Sequence, residues 1–296
     1  MINLLLIINP AAGRSKRKSY VFQVADWFRR KGCSVSVFST TKSGDAAKFV
    51  EQYASENDII VCCGGDGTLN EVITGSMKLA ERKPIGYLPA GTTNDMAKTL
   101  HLPTNIRKAA HAVLSEKPIF QDVGAFNKTK YFTYIASFGA FTKVSYSTPQ
   151  WLKNRLGHLA YVLDGIRSVG EIRPYHLKAE SRDSVWTGNF IFGSISNSRS
   201  IGGVLELKSS DVSLNDGKFE VLLIREPKNF IEFQAILHDL YHHNFQNKHI
   251  VFFHTDRIRL EFDQPTDWTL DGEYAGNPQT AEISNIHDAV RLIHRQ

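Results

Sequence analysis

Along the first third of the chain, short apolar blocks alternate with stretches in which apolar residues recur every three to four positions. The blocks are Leu4 to Ile8, Val35 to Phe38, Ile59 to Cys63 and Ile85 to Leu88, each of strand length. Between and after them, Val21/Val24/Ala25/Phe28, Ala46/Phe49/Val50/Tyr53, Leu69/Val72/Ile73/Met77 and Ile106 to Leu114 fall at helical spacing. Strands that alternate with helices in this way predict a parallel sheet covered on both faces, a doubly wound α/β domain. Its ligands are expected at the carboxyl ends of the strands.

From about Asp122 the texture changes. Tyr131/Thr133/Ile135, Asn189 to Ser196, Phe219 to Ile224, Ile250 to Phe253 and Arg257 to Phe262 read as strands, interrupted by helical stretches at Trp151 to Ser168 and Asn229 to Tyr241. Strands not regularly separated by helices predict an antiparallel β-sandwich as a second domain. The expected division is therefore an α/β domain over 1–122 and a β-rich domain over 123–296, with the final residues near 285–296 able to pack back on the first. No internal repeat or Gly/Ser linker is present, so the domains are expected to close around a shared cleft.

Composition narrows the class. The chain has 296 residues and 42 % hydrophobic content, enough for two cores. Leu4 to Ile8 is far too short to span a bilayer and has no charged leader before it. Three cysteines, two of them adjacent at Cys62 and Cys63, exclude a disulfide framework and point to the cytoplasm. The net charge of +5, concentrated in Arg14/Lys16/Arg17/Lys18 and Arg29/Arg30/Lys31, suits a nucleotide or an anionic membrane surface as well as it suits solvated helix faces. No nucleic-acid module is recognisable.

The run Gly64-Gly65-Asp66-Gly67-Thr68-Leu69-Asn70-Glu71-Val72 sits between a predicted strand and a predicted helix, where backbone amides and the helix end attract phosphate. Asp66 would repel that phosphate unless a divalent cation bridges the two, the arrangement of phosphoryl-transfer sites. Asn70 replaces the third glycine of the dinucleotide fingerprint, and the P-loop Gly-Lys-Ser/Thr ending is missing, so neither a redox cofactor nor a P-loop is indicated.

Four ordered motifs, Asn9-Pro10-x-x-Gly13, the Gly64 to Val72 run, Pro89-x-Gly91-Thr92-x-Asn94-Asp95 and Asp271-Gly272-Glu273, resemble the diacylglycerol kinase catalytic family, in particular its soluble bacterial members. The resemblance covers essentially the whole chain. It implies a lipid kinase of phospholipid metabolism, which transfers the γ-phosphoryl of ATP with Mg²⁺ to a lipid hydroxyl, most readily that of diacylglycerol. The active site is then expected in the cleft between the domains.

Carried over residue by residue, the resemblance implies that Asn9, Pro10, Ala11, Ala12, Gly13, Thr40, Gly64, Gly65, Asp66, Gly67, Thr68, Leu69, Asn70 and Thr92 bind ATP. Relatives often have serine where Ala12 stands. Asp66 acts through Mg²⁺, and Asp95 either joins it or caps a helix beginning near Met96. Glu273 becomes the general base toward the substrate hydroxyl and Asp271 organises the metal and its waters. A second, structural Mg²⁺ is implied at Asp216 with the carbonyls of Ser213 and Lys218, although Lys208-Ser209-Ser210 replaces the family's small-residue lead-in.

The remaining expectations concern partners and alternatives. The lipid alcohol is met by peripheral contact with an anionic membrane, and a sandwich edge is compatible with a homodimer. Phe138, Phe141 and Trp151 suit either an acyl entrance or ordinary core. A NAD kinase shares the Asp66 element, and a non-catalytic nucleotide- or lipid-binding module would keep the fold without the chemistry. His238 and His242 have helical metal spacing without a third ligand, and Ser194 and Ser196 lack a histidine and aspartate partner, so zinc and hydrolase readings fail.

Overall fold

A computed structural model describes residues 1–12, 20–139, 173–198, 200–201, 205–206 and 213–295. The expectations placed on Gly13, Phe141, Trp151 to Ser168 and Lys208 to Ser210 lie outside those residues. Two compact units are present: Met1–Val123 with Ile286–Gln296, and Gly124–Asn285.

The first unit runs β1 (Ile2–Ile8), α1 (Tyr20–Arg30), β2 (Cys33–Ser39), α2 (Asp45–Tyr53), a 3₁₀ turn (Ala54–Glu56), β3 (Ile59–Gly64), α3 (Asp66–Ser76), β4 (Ile85–Pro89), α4 (Asp95–Thr99) and α5 (Ile106–Ser115). Strand β5 (Pro118–Phe126) then leads into the second unit. The sheet order is β2-β1-β3-β4, all parallel, and Leu292 of the final strand pairs in parallel with Ile85. Because β1, β3 and β4 are covered on both faces, they read as apolar blocks, whereas the edge strand β2 is largely exposed. Leu4, Leu6, Ile8, Val61, Cys63 and Leu88 pack on one side with Val24, Phe28, Ala110 and Val113. Leu5, Ile7, Ile60 and Cys62 are sealed on the other. Each such side chain contributes about 1.5–3 kcal/mol by leaving water. The chain moves from β1 to β2 in one direction and crosses back to β3, so the order reverses between β1 and β3, where doubly wound sheets bind ligands.

The second unit contains β6 (Lys130–Phe132), β7 (Ile135–Gly139), β8 (Tyr175–Ser181), β9 (Val185–Ser196), a hairpin of β10 (Ser200–Ile201) and β11 (Leu205–Glu206), and β12 (Phe219–Arg225). It continues with α6 (Phe230–Tyr241), β13 (Ile250–Thr255), β14 (Arg257–Phe262), β15 (Trp268–Leu270), β16 (Glu273–Gly276) and β17 (Thr280–Ile293), the last of which re-enters the first unit. The order is β16-β15-β7-β9-β8-β14-β17, with β12 and then β13 branching from β9. These pairings are antiparallel. The predicted α/β and β-rich architecture is observed.

Packing decides between two readings of one residue and corrects one strand. Phe138 is fully buried, with ring centroids 4.9 Å from Phe262 and 5.1 Å from Trp268, so it is core and not an acyl entrance. The single strand expected through Tyr131, Thr133 and Ile135 is broken between Phe132 and Ile135, because the intervening amides turn toward a side chain. Helix α6 covers a second core with Phe233, Ile236, Leu237 and Leu240. It starts where the Asn229 side chain accepts from the Glu232 amide at 3.0 Å, a standard N-cap.

Candidate active site

In the first unit the motif residues gather at the carboxyl ends of β1, β2, β3 and β4. Asn9, just past β1, donates from its amide N–H to the Cys63 carbonyl at 2.9 Å and from Nδ2 to Thr68 Oγ1 at 3.0 Å. It thereby spans the switch point between β1 and β3. Its Oδ1 accepts from the Ala11 amide at 2.9 Å and its carbonyl from the Ala12 amide at 3.2 Å, so both of those N–H groups face Asn9. Pro10 is exposed beside them. Thr40 is buried after β2 and donates its amide to Ile8 at 2.8 Å.

The loops after β3 and β4 touch backbone to backbone. Ala90 donates to the Gly64 carbonyl at 2.7 Å, and a Cβ on Gly91 would lie 2.6 Å from Gly65 Cα. Any side chain there drives the loops apart. Asn94 braces the second loop, accepting from the Gly91 amide at 2.9 Å and donating to its carbonyl at 3.0 Å. It does so at φ +49°, a left-handed conformation that asparagine tolerates. Thr92 is exposed on the same loop.

The predicted glycine turn is shorter than its motif. Helix α3 begins at Asp66, so Gly67, Thr68, Leu69 and Asn70 are helical, and the N-cap Gly65 supplies no side-chain cap to the first-turn amides. Leu69 is buried packing, and Asn70 Oδ1 accepts from Thr74 at 3.5 Å.

The Asp66 carboxylate accepts from the Asp95 amide at 2.9 Å, the Met96 amide at 3.1 Å and Thr93 Oγ1 at 3.4 Å. The capping considered for Asp95 is thus performed by Asp66, since the α4 amides point at it. Asp95 instead pairs with Lys98 at 2.8 Å on the surface. Burial pushes the Asp66 pKa up, while the amide donors oppose that shift. Glu71, which the sequence did not single out, caps α2 by accepting from Gly44 at 2.7 Å, Ser43 Oγ at 3.0 Å and Ala46 at 3.2 Å.

In the second unit, Asp271 and Gly272 form the two-residue turn between β15 and β16, with φ of +48° and +82°. Both are left-handed, as a type I′ Asp-Gly hairpin requires. Asp271 is 6 % exposed. Its Oδ2 accepts from the Thr133 amide at 2.7 Å and Thr133 Oγ1 at 2.8 Å, and its Oδ1 from the amides of Tyr134 at 3.0 Å and Ile135 at 3.1 Å. These donors break the predicted strand, and they occupy the carboxylate's full accepting capacity. Burial raises the Asp271 pKa against their pull. Glu273 follows as the first residue of β16 and is exposed.

Ser213, Asp216 and Lys218 share one turn. Asp216 Oδ1 accepts from the Lys218 amide at 3.0 Å, and Gly217 sits at φ +75°. The rings of His238, on α6, and His242, which caps its C-terminal end, lie 4.4 Å apart. The one group of three potential metal ligands among the described residues is elsewhere, at Asp122, His287 and Asp288. Cys33, Cys62 and Cys63 are buried and unbridged. No helix among the described residues is long and apolar enough to cross a membrane.

Comparison with known proteins agrees with this geometry. The profile described as the diacylglycerol kinase catalytic domain matches residues 3–126. A diacylglycerol kinase of Bacillus subtilis (strain 168) is 35 % identical over 293 residues, spanning 97 % of this chain and 95 % of that protein. One from Staphylococcus saprophyticus is 31 % identical over 274 residues, spanning 92 % and 88 %. Two crystal structures from Bacillus anthracis str. Sterne share the fold. One, titled as a diacylglycerol kinase, has TM-score 0.76 at 20 % identity over 99 % of this chain and 97 % of that one. The other has TM-score 0.81 at 24 % identity over 99 % and 95 %. Matched along nearly its whole length by such relatives, this chain belongs to the diacylglycerol kinase catalytic family and is a lipid kinase.

Proposed function

We propose that this kinase transfers the γ-phosphoryl group of ATP to the hydroxyl of diacylglycerol, giving phosphatidic acid. Its curated relatives carry the name diacylglycerol kinase. The observation that carries the nucleotide half is the interlock of the Gly65 and Gly91 loops beside the uncapped first turn of α3, which presents amides and a helix dipole to phosphate.

Asn9, Thr40, Gly64 to Asn70 and Thr92 line or support that phosphate cradle. Pro10, Ala11 and Ala12 shape its β1 edge. Asp66 suits Mg²⁺: its Oδ1 has a single amide donor, which leaves a lone pair for a cation, and burial makes an unpaired charge costly there. Bound Mg²⁺ would neutralise charge on the transferring phosphoryl oxygens. Asp271, with its oxygens occupied, holds the hairpin in place, and Glu273 accepts the substrate hydroxyl proton late in the transfer. Ser213, Asp216 and Lys218 form a second cation site away from the chemistry. The basic clusters support peripheral contact with an anionic membrane surface.

The test is incubation with Mg²⁺ and labelled ATP across a panel of lipid alcohols and NAD, with Asp66→Ala as control. Label is expected in phosphatidic acid with the wild type and in no product with the control. Preferential labelling of another lipid alcohol would overturn the acceptor, and labelling of NAD alone would overturn lipid phosphorylation.

A further inference from the structure

The polar face of β8, β14 and the first half of β17 carries rows of opposed charges. Arg259 stands between Glu180 of β8 and Glu282 of β17, and it reaches Glu282 at 3.1 Å and Glu261 of its own strand at 2.7 Å. Lys178, opposite Glu261, reaches Glu180 at 3.0 Å. The next row departs from this order. One step beyond the Ile258–Ser181 pair, the same register brings Arg182 toward Arg257, and both line one groove of about 480 Å³. Like charges placed across strands destabilise a sheet. Arg182 is paired with Asp256 at 2.6 Å, whereas Arg257 has no acidic partner among the described residues.

A third cation is brought to the groove by the turn after β5. Asn127 and Lys128 sit there at φ of +47° and +61°. The Asn127 amide donates to the Glu282 carbonyl at 2.8 Å, and its Oδ1 accepts from the Glu282 amide at 2.7 Å. The turn is thereby tied to β17, and Lys128 joins the groove lining, also without an acidic partner among the described residues. The two acids of the lining, Glu180 and Glu282, are already engaged by Lys178 and Arg259. Ser284, opposite Arg257, adds a hydroxyl. Guanidinium, ammonium and hydroxyl donors with no uncommitted acid among them suit a phosphate group, which arginine meets with its planar fork and lysine as a point charge. The groove lies wholly within the second unit.

We infer that this groove binds a phosphate group through Arg257, Lys128 and Arg182. The anion relieves the repulsion between the two guanidinium groups. None of these residues belongs to the nucleotide cradle or to the proposed transfer, so the inference stands apart from the identity of the acceptor. The phosphate belongs to the headgroup of an anionic phospholipid or to a soluble phosphate ester.

The test uses the full chain with its nucleotide cradle filled by Mg²⁺ and a non-hydrolysable ATP analogue. Calorimetry with inorganic phosphate and glycerol 3-phosphate reads the soluble source, and flotation with phosphatidylcholine vesicles, plain or carrying phosphatidic acid, reads the headgroup. Arg257→Gln and Lys128→Gln are each expected to weaken binding about 10-fold or more. Lys48→Gln, which removes the same charge from an exposed position of α2, should leave it unchanged. A loss in both assays assigns the groove to phosphate groups in general, and a loss in flotation alone assigns it to a lipid headgroup. Before phosphate is added, Arg257→Gln should melt no lower than the wild type, because it removes an unrelieved like charge. The site is overturned if the wild type binds none of these probes, if binding survives Arg257→Gln, or if Lys48→Gln weakens it equally. It is also overturned if Arg257→Gln melts lower than the wild type without phosphate, since Arg257 would then be satisfied within the protein.

Discussion

Asp66 and Asp271 are both buried carboxylates held by backbone amides, yet they are built for different work. Asp66 reaches 29 residues along the chain to the first amides of α4 and ties together two loops at the ends of parallel strands. Its Oδ2 takes an amide and the Thr93 hydroxyl, while its Oδ1, with one amide, keeps room for another partner. Asp271 takes three consecutive amides and a hydroxyl, which leaves it saturated. A buried carboxylate with spare lone pairs can serve a cation, whereas a saturated one can only hold shape. In the second unit the proton acceptor we propose is therefore Glu273, two residues on and exposed.

The largest expected effect concerns that division of labour. Glu273→Gln should lower turnover by about 10²- to 10⁴-fold, with nucleotide affinity unchanged in a direct binding assay; near-normal turnover would return the base role to another group. Next, Asp271→Ala leaves four donors without an acceptor and should cost on the order of 3–5 kcal/mol in urea unfolding. Asp66→Ala should cost only about 1–2 kcal/mol, the loss of a cap, while abolishing turnover. Equal stability losses in the two variants would erase the contrast.

Smaller effects probe the supports. Gly91→Ala must push the Gly65 backbone aside and should cost about 1–3 kcal/mol, read as weaker nucleotide binding with the second unit's unfolding unaffected. Glu232 sets the smallest. The Lys228 amide and the Lys248 ammonium hold its pKa down at about 2, from an ordinary 4.5. A lowered folded-state value means that its stabilisation is present above about pH 4.5 and is lost as pH falls toward 2. Glu232→Gln should flatten that limb of the acid unfolding curve; an unchanged limb would assign it to other carboxylates.

The first unit was legible because β1, β3 and β4 are buried on both faces and its helices are amphipathic. The apolar blocks at Leu4, Ile59 and Ile85 therefore mark β1, β3 and β4 within a residue or two. Strands β8 and β17 escaped because their faces differ. In Tyr175–Ser181, buried Leu177 and Ala179 alternate with His176, Lys178 and Glu180, a weak signal beside a continuous block. The break between β6 and β7 was invisible because Thr133 and Ile135 are good strand formers; only the arrival of Asp271 from more than 130 residues away overrides them. The burial of Glu220 was equally hidden, since a lone acid within the apolar run of β12 reads as solvent-facing.

The sequence by itself determined the two kinds of unit, the order of the glycine loops and the residue types able to handle phosphate and a proton, because periodicity and short motifs are local properties of the chain. Tertiary structure alone decided which carboxylates are already occupied. Asp66 caps a helix that is not its own, and Asp271 is saturated by amides from the start of β7 and the residues before it. Those differences arise from amides brought in by distant segments, and an amide's direction is set by the fold and not by the residue that carries it.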